Sequence, residues 1–154
     1  SVLAITGVYK FLFQKQLEDK KISFVIEDLT HGECFIIADQ FSFTHNVLSN
    51  FVSNAIKYSF NESKIVFSIR NFDGRLQLTI RDYGQGMSKE TIQSLLTHSN
   101  TISSLGTNGE KGTGLGIGIA KAILKSIKAD FDIQSTEFCE NQKLDHGTII
   151  TLTF

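Results

Sequence analysis

The chain has 154 residues, and its 15 Lys and Arg against 16 Asp and Glu give a formal net charge of −1. This balance argues against a nucleic-acid partner and against attraction to an anionic membrane surface. Hydrophobic residues make up 41% of the sequence, and no apolar run reaches the length of a membrane span. We therefore expect one cytoplasmic domain without membrane contact of its own, as part of a longer protein that can itself be membrane-anchored. Cys34 and Cys139 lack metal-ligand spacing and are predicted to be unpaired packing thiols.

The first part of the chain predicts two helices separated by two strands. Apolar residues at helical spacing predict a helix over residues 2–20. Runs rich in β-branched and aromatic residues predict strands over residues 21–28 and 34–38, joined by a short turn. Over residues 39–59 apolar residues recur every four positions, which predicts a long helix.

The predicted helix over residues 39–59 also carries polar side chains on one face. Asn50, Asn54 and Tyr58 recur every four positions. Lys57 follows Asn54 by three, so all four side chains project from one side of the helix. Asparagine is a poor helix former, so two of them in mid-helix need an explanation. Either this face is solvated, or it lines a polar cleft where amide oxygens bind a hard cation and a lysine binds phosphate.

A β-hairpin is predicted by two alternating runs, over residues 64–70 and 75–81, that flank an Asp-Gly turn. The second strand ends at Asp82, and two spaced glycines follow, Gly84 and Gly86. This pattern is typical either of a glycine-rich turn capped by the carboxylate, or of a loop whose carboxylate accepts a hydrogen bond from a ligand amine.

The remaining sequence predicts a helix over residues 88–96, a mobile polar loop over 97–110, and strands over 131–135 and 147–154. A long loop inside a compact domain is typical of a lid over a ligand. Four alternating glycines over residues 112–118 run into another predicted helix. They indicate either a tight turn or a loop that places backbone N–H groups and a helix N-terminus around a phosphate.

Three of these segments, in this order, resemble the nucleotide-binding boxes of sensor histidine kinases. Residues 50–59 resemble the N box, residues 82–87 the G1 box and residues 112–116 the G2 box. The ATP-binding domain of those kinases belongs to a superfamily shared with gyrase, heat-shock chaperones of the ninety-kilodalton class and mismatch-repair ATPases. The resemblance implies the Bergerat fold, a two-layer α/β sandwich with a mixed, mostly antiparallel sheet on about three helices and a mobile ATP lid. Residues 21–154 would be this domain, and residues 1–20 a helical link from a dimerisation hairpin.

The resemblance also implies which residues contact ATP and Mg²⁺. Asn54 would coordinate the metal, Asn50 would lie beside it, and Lys57 would contact phosphate. Asp82 would accept a hydrogen bond from the adenine amine, with the two glycines after it giving clearance for the ring, and Thr148 would help to hold adenine. The full set implied to bind the nucleotide is Asn50, Asn54, Lys57, Tyr58, Asp82, Gly84, Gly86, Met87, Lys111, Gly112, Thr113, Gly114, Leu115, Gly116 and Thr148.

The same resemblance implies phosphoryl transfer rather than hydrolysis. Hydrolysing members of the superfamily carry Glu four residues before the metal-binding Asn, where this chain has Asn50, and an amide cannot take a proton. None of the four histidines has the setting of the family's phosphoacceptor. No catalytic residue is therefore assigned, and Asn50 and Lys57 are the nearest candidates. The implied partners are the dimerisation and histidine phosphotransfer domain of the same protein and the receiver domain of a response regulator.

Two hypotheses about function stay open on the sequence. The first is a protein histidine kinase module that transfers the γ-phosphoryl group of Mg-ATP to its partner domain. The second is a nucleotide-sensing or kinase-docking module with little transfer activity. The lid favours the second, because the chain has Leu95 and Leu96 where the family usually has a phenylalanine motif. A third class, the ATPase motors and chaperones, is disfavoured by Asn50.

Overall fold

The computed structural model of the protein describes residues 2–30, 32, 34–97, 106–110, 114–140 and 145–154. In these ranges a π-helical segment and α3 form one continuous helix. No helix of the described ranges is long and apolar enough to cross a membrane. The elements in chain order are α1 (Val2–Leu12), α2 (Gln14–Asp19), β1 (Ser23–Leu29), the π-helical segment (Ser42–Leu48), α3 (Ser49–Tyr58), β2 (Lys64–Phe72), β3 (Arg75–Asp82), α4 (Lys89–Thr97), α5 (Gly116–Ser126), β4 (Asp130–Thr136) and β5 (Gly147–Thr153).

The strands form one open sheet in the order β1-β2-β3-β5-β4. β1 pairs with β2 in parallel, and the other neighbouring pairs are antiparallel. The predicted hairpin of β2 and β3 is confirmed. Its turn residues, Asp73 and Gly74, have φ values of 50° and 75°. Positive φ at both positions is the type I′ geometry that fits the right-handed twist of a hairpin.

The helices cover one face of this sheet. α3 packs on β3, and both α4 and α5 pack on β4. Alternate strand residues are buried, because successive side chains of a strand point to opposite faces. The predicted two-layer sandwich with a mixed, mostly antiparallel sheet is therefore confirmed. The fully buried large side chains at its centre are Val47, Leu48, Phe51, Val52, Ile65, Phe67, Ile69, Leu78, Ile80, Leu124 and Leu152.

The helix predicted over residues 39–59 is present, but its first half is a π-helix. Ser42–Leu48 is π-helical and continues directly into α3. The Thr44 carbonyl accepts two hydrogen bonds, from the backbone N–H of Ser49 and from the Tyr9 hydroxyl at 2.6 Å. The wider π turn therefore gives α1 a point of attachment to the helical layer.

The helix predicted over residues 2–20 is divided in two at Phe13. Tyr9 and Leu17 are buried in the same core as the sheet residues. The Tyr9 ring stacks on the Phe13 ring with centroids 6.3 Å apart. Both N-terminal helices thus pack on the sandwich.

The strand predicted over residues 34–38 is wrong. This segment has no regular secondary structure and pairs with no strand of the described residues. Phe35 and Ile37 are 67% and 97% exposed, while Ile36 and Ala38 are partly buried against the core. An alternating pattern indicates which side of a segment faces the core, and it does not supply a backbone partner. Cys34 and Cys139 are free thiols as predicted, but Cys139 is exposed and does not pack.

Candidate functional site

A cavity of about 760 Å³ lies among α3, α4, the start of α5 and the central strands. Its size is in the range of small-molecule cofactor sites. The predicted site residues that line it are Asn50, Asn54, Lys57, Tyr58, Asp82, Gly86, Met87, Gly114, Gly116 and Thr148. The predicted residues Gly84 and Leu115 are not among those that line it. Lys111, Gly112 and Thr113 lie outside the described residues, as do residues 98–105 of the loop predicted as a lid over 97–110.

The α3 wall of the cavity presents polar side chains from successive turns. Asn50 Nδ2 donates to the Asn46 carbonyl at 2.6 Å, which fixes the orientation of the Asn50 amide. One turn later Asn54 lines the same cavity. Lys57 Nζ donates to the Tyr58 hydroxyl at 2.9 Å and lies 4.6 Å from the centroid of that ring. This face of the helix therefore lines a cavity, as the second interpretation requires, and the binding of a cation and of phosphate by it stays a prediction.

A buried carboxyl group forms another wall. Asp82 ends β3 and is 6% exposed. Its Oδ1 accepts the N–H groups of Gly84 at 3.0 Å and of Thr148 at 3.1 Å, and within the described residues Oδ2 receives no hydrogen bond. Burial raises the pKa of Asp82 to about 6, although the two backbone N–H groups act in the opposite direction. Above pH 6 the cavity therefore holds a carboxylate with one oxygen available to a ligand donor.

Thr148 and Met87 are joined through Ser135, a residue of β4. Ser135 Oγ donates to the Gly147 carbonyl at 3.0 Å and contacts the Thr148 hydroxyl at 2.9 Å. Because a serine hydroxyl has one proton, Thr148 is the donor in that second contact. Ser135 Oγ also accepts the Met87 N–H at 2.9 Å. This role could not be predicted, since Ser135 is one polar residue in an ordinary strand pattern.

The two glycines after Asp82 serve the protein's own backbone. A Cβ on Gly84 would lie under 3.0 Å from the Tyr58 carbonyl carbon, and one on Gly86 under 3.0 Å from that of Thr136. Gly84 pairs with Ser59 just after α3 and is not among the residues that line the cavity, and clearance for a ligand ring at this position stays a prediction. Gly86 lines the cavity, and its φ of +67° and its approach to β4 both require glycine.

The start of α5 meets the polar wall of α3. Gly114 has a φ of 72°, which favours glycine, and α5 begins at Gly116. A Cβ on Gly116 would lie 2.5 Å from Asn50 Oδ1. The missing side chain thus lets the N-terminus of α5, whose first backbone N–H groups have no carbonyl partner within the helix, come close to the amides of α3. A helix start of this kind, preceded by a glycine-rich loop, is suited to an anion.

Sequence reasoning missed the groups that hold the C-terminal end of α3. The last carbonyls of a helix have no partner within it. Here the Lys57 carbonyl accepts the Thr107 N–H at 3.1 Å, and the Tyr58 carbonyl accepts the Gln85 N–H at 3.0 Å. The ammonium group of Lys20 contacts the Lys57 carbonyl as well, at 2.8 Å. Three segments far apart in the sequence therefore converge on one helix end beside the cavity.

Residues 39–154 match the family described as histidine kinase-, DNA gyrase B-, and HSP90-like ATPase. The chain is 30% identical over 134 residues to the sensor protein RprX of Bacteroides fragilis. This aligned region covers 85% of this chain and 25% of RprX. It is 30% identical over 130 residues to the sensor histidine kinase WalK of Bacillus subtilis. This aligned region covers 83% of this chain and 20% of WalK. The chain thus spans a quarter or less of these two relatives.

Solved structures share the fold at lower sequence identity. The mycobacterial sensor histidine kinase MprB has a TM-score of 0.76 at 18% identity and covers 99% of this chain and 92% of its own. Full-length ShkA in complex with AMPPNP has a TM-score of 0.75 at 17% identity, and the match covers 99% of this chain and 29% of the ShkA chain. Histidine kinase ThkA in complex with the response regulator protein TrrA has a TM-score of 0.71 at 16% identity, and the match covers 99% of this chain and 40% of the matched chain.

The family match and the geometry concern the same part of the chain. The amide wall of α3, the Asp82 carboxyl and the start of α5 border one cavity, and all three lie within residues 39–154. The chain belongs to the histidine kinase-, DNA gyrase B- and HSP90-like ATPase family, and it is an ATP-binding catalytic domain of the sensor histidine kinase type.

Proposed function

We propose that this chain binds ATP together with Mg²⁺ and presents the γ-phosphoryl group to a histidine on a domain outside the chain. The buried Asp82 carboxyl carries the proposal, because it faces the cavity that Asn50, Asn54 and Lys57 also line. A hydrogen-bond acceptor on one wall, with amides and an ammonium group on another, matches a ligand that has an amine-bearing base at one end and phosphates at the other.

The Asp82 side of the cavity fits adenine. Asp82 Oδ1 is satisfied by two backbone N–H groups, so Oδ2 would accept the hydrogen bond of the exocyclic amine. Guanine has a carbonyl at that position, and two acceptors facing each other repel. Met87 and the Thr148 hydroxyl line the same cavity and would help to hold the base.

The side formed by α3 and α5 fits phosphates and a magnesium ion. Asn54 offers an amide oxygen, a hard ligand of the kind that Mg²⁺ accepts, and Lys57 offers a positive charge. Magnesium, when bound, supplies charge that offsets the phosphate oxygens. Tyr58 would hold the Lys57 ammonium in place through the contact described above. The loop residues that we propose as phosphate ligands are Lys111, Gly112, Thr113, Gly114, Leu115 and Gly116.

The Asn50 side chain supports transfer rather than hydrolysis. Its Nδ2 is engaged by the Asn46 carbonyl and its Oδ1 lies beside Gly116, so the amide is held at the junction of α3 and α5. An amide cannot accept a proton from water, and it therefore supplies no base for hydrolysis. Asn50 and Lys57 remain the nearest candidates for groups that contact the transferred phosphoryl.

The acceptor and the later partner lie outside this chain in the proposal. We propose a dimerisation and histidine phosphotransfer domain of the same protein as the acceptor, with residues 1–20 as the link to it, and the receiver domain of a response regulator as the next partner. The ThkA structure, a complex with a response regulator protein, supports the second partner. Such a chain would act in the cytoplasm, where ATP is available, and the parent protein can be anchored in the membrane.

Calorimetric titration of the chain with ATP and ADP, with and without Mg²⁺, tests the proposal. We expect ATP binding that is tighter in the presence of Mg²⁺, and we expect Asn54→Ala to remove the Mg²⁺ dependence and leave Mg²⁺-free binding within about twofold. Asn71→Ala is the control, because this exposed amide is not among the residues that line the cavity. Equal Mg²⁺ dependence in Asn54→Ala and the wild type would contradict the metal assignment, and no nucleotide binding would contradict the proposal itself.

We expect Gly116→Ala to weaken ATP binding by about tenfold and to leave adenosine binding unchanged. The new methyl group would lie 2.5 Å from Asn50 Oδ1, so the amide has to turn away from the start of α5. Weaker binding would not come from a weaker helix, since alanine is a better helix former than glycine. Gly118→Ala is the matched control, because its position in the same helix is open. Equal ATP affinities in the two variants would exclude this role of Gly116.

A further inference from the structure

A buried ammonium group lies where α2 ends. Lys20 is 4% exposed, although it belongs to a charged run of sequence. Its Nζ lies within hydrogen-bond distance of three carbonyls, those of Ile56 at 3.0 Å, Lys57 at 2.8 Å and Ser59 at 3.3 Å. A cation at a helix C-terminus is favourable, because it meets carbonyls that have no partner within the helix. Lys20 thus holds the end of α3 that carries Lys57.

The same ammonium group also holds a segment from the other side. It contacts the Thr107 hydroxyl at 2.8 Å and pairs with Glu110 Oε1 at 2.7 Å. Thr107 donates its hydroxyl to the Ser59 carbonyl at 2.7 Å, and Glu110 Oε2 accepts the Asn108 N–H at 2.8 Å. Residues 106–110 are therefore attached to the end of α3 in two ways, directly by Thr107 and through the buried charge of Lys20 with its carboxylate partner.

The charge of Glu110 is needed for this arrangement. A buried cation is costly unless it is paired and hydrogen-bonded, and Glu110 is the carboxylate that pairs with Lys20 in the described part of the chain. Burial raises the pKa of Glu110, but the hydrogen bonds from Lys20 and from backbone N–H groups outweigh it and hold the pKa below its ordinary value. The carboxyl group is thus ionised at neutral pH. Lys20, Lys57 and Glu110 all line the cavity.

We infer that Lys20 and Glu110 form a positioning pair for the phosphate half of the nucleotide. The pair fixes the end of α3, with Lys57, against residues 106–110, which lead directly into the glycine-rich loop. The base half is held separately, since Asp82 takes its hydrogen bonds from Gly84 and Thr148. This inference rests on the proposed binding of ATP, and neither residue belongs to the set that the family resemblance implies.

Glu110→Ala separates positioning from simple attraction of charge. Removing a carboxylate makes the cavity more positive, so attraction alone would bind ATP more tightly. Positioning predicts the opposite, because Lys20 loses its ionic partner and residues 106–110 lose the part of their attachment that Glu110 provides. We expect ATP affinity to fall by about tenfold, and adenosine affinity to stay within about twofold, by calorimetry. We expect Lys20→Met to behave in the same way, and the double variant to lose little more than either single variant.

The exposed pair of Lys21 and Glu62 provides matched controls. Its atoms are 3.0 Å apart, and its side chains are 74% and 70% exposed. Lys21→Met and Glu62→Ala should therefore leave ATP affinity unchanged. Unchanged or tighter ATP binding in Glu110→Ala, or an equal loss of ATP and adenosine, would overturn the positioning pair and leave the proposed function intact. A wild-type chain that binds neither ATP nor adenosine would overturn both. Should Lys20→Met fail to fold, Glu110→Ala decides, since its side chain is 36% exposed.

Discussion

Asp82→Asn is expected to abolish adenine nucleotide binding and, in the same molecule, to stabilise the fold at pH 7. Asn keeps an oxygen that can accept the N–H groups of Gly84 and Thr148 in place of Oδ1. Its NH₂ group then takes the place of Oδ2 in the cavity and meets the adenine amine, donor against donor. A site that leaves such groups unpaired loses affinity by about 100-fold or more.

The gain in stability follows from the raised pKa of the carboxyl group. Burial raises the pKa of Asp82 to about 6, above its ordinary value near 4 in an unfolded chain. The folded state therefore favours the protonated form, and the stability that this provides is complete below pH 4 and is lost as the pH rises through 6. The difference between these two pKa values corresponds to about 3 kcal/mol in the free energy of unfolding, which Asp82→Asn recovers at pH 7 because an amide does not ionise.

Urea unfolding at pH 4 and pH 7 measures this effect. We expect the free energy of unfolding of Asp82→Asn to exceed that of the wild type by about 3 kcal/mol at pH 7 and to equal it at pH 4. Asp132→Asn is the control, because Asp132 is an exposed residue of β4. A variant that is less stable than the wild type at pH 7 would show that the carboxylate is favoured by the fold. Retained ATP binding would remove Asp82 from the adenine site.

The binding of adenosine should also depend on pH. A protonated Asp82 cannot offer both carboxyl oxygens as acceptors, so we expect affinity to fall as the pH drops below about 6. Adenosine is the appropriate ligand for this titration, because it has no phosphate that ionises in the same range. A constant affinity between pH 5 and 8 would contradict the raised pKa.

The features that the sequence predicted correctly are those with local signals. The hairpin of β2 and β3 follows from alternation and from the Asp73-Gly74 turn, whose positive φ angles the structure shows. The polar side of α3 follows from helical spacing, so Asn50, Asn54 and Lys57 reach one cavity as expected. Such patterns depend on residues a few positions apart, and the period of a helix or strand then decides where the side chains point.

Lys20 shows why the remaining features could not be predicted. In the sequence it stands in a run of four charged residues, where a solvated position is the ordinary expectation. Its burial depends on Ile56, Lys57 and Glu110, which are distant along the chain and meet it only after the sandwich has formed. The strand predicted over residues 34–38 failed for a related reason, because the alternating pattern is local and the missing strand partner is not.

Gly84→Ala is expected to cost about 3 kcal/mol or more of the free energy of unfolding. A Cβ at this position would lie under 3.0 Å from the carbonyl carbon of Tyr58 and from Cα of Ser59, which is fully buried. These are backbone atoms at the end of α3, so no side chain can rotate to make room. The Gln85 N–H, which bonds the Tyr58 carbonyl at 3.0 Å, would be displaced together with the loop.

Thermal and urea unfolding of Gly84→Ala against Gly7→Ala measures this cost. Gly7 lies in α1 with nothing within 4 Å of an added Cβ, so alanine there should stabilise the helix by about 1 kcal/mol. Both variants replace a glycine by alanine. We expect Gly84→Ala to lower the free energy of unfolding and Gly7→Ala to raise it, so that the two variants differ by about 4 kcal/mol. A stable Gly84→Ala variant that has lost only nucleotide affinity would instead show that this glycine serves the ligand. A marked loss of stability would show that the close approach between the loop and α3 is part of the fold that forms the cavity.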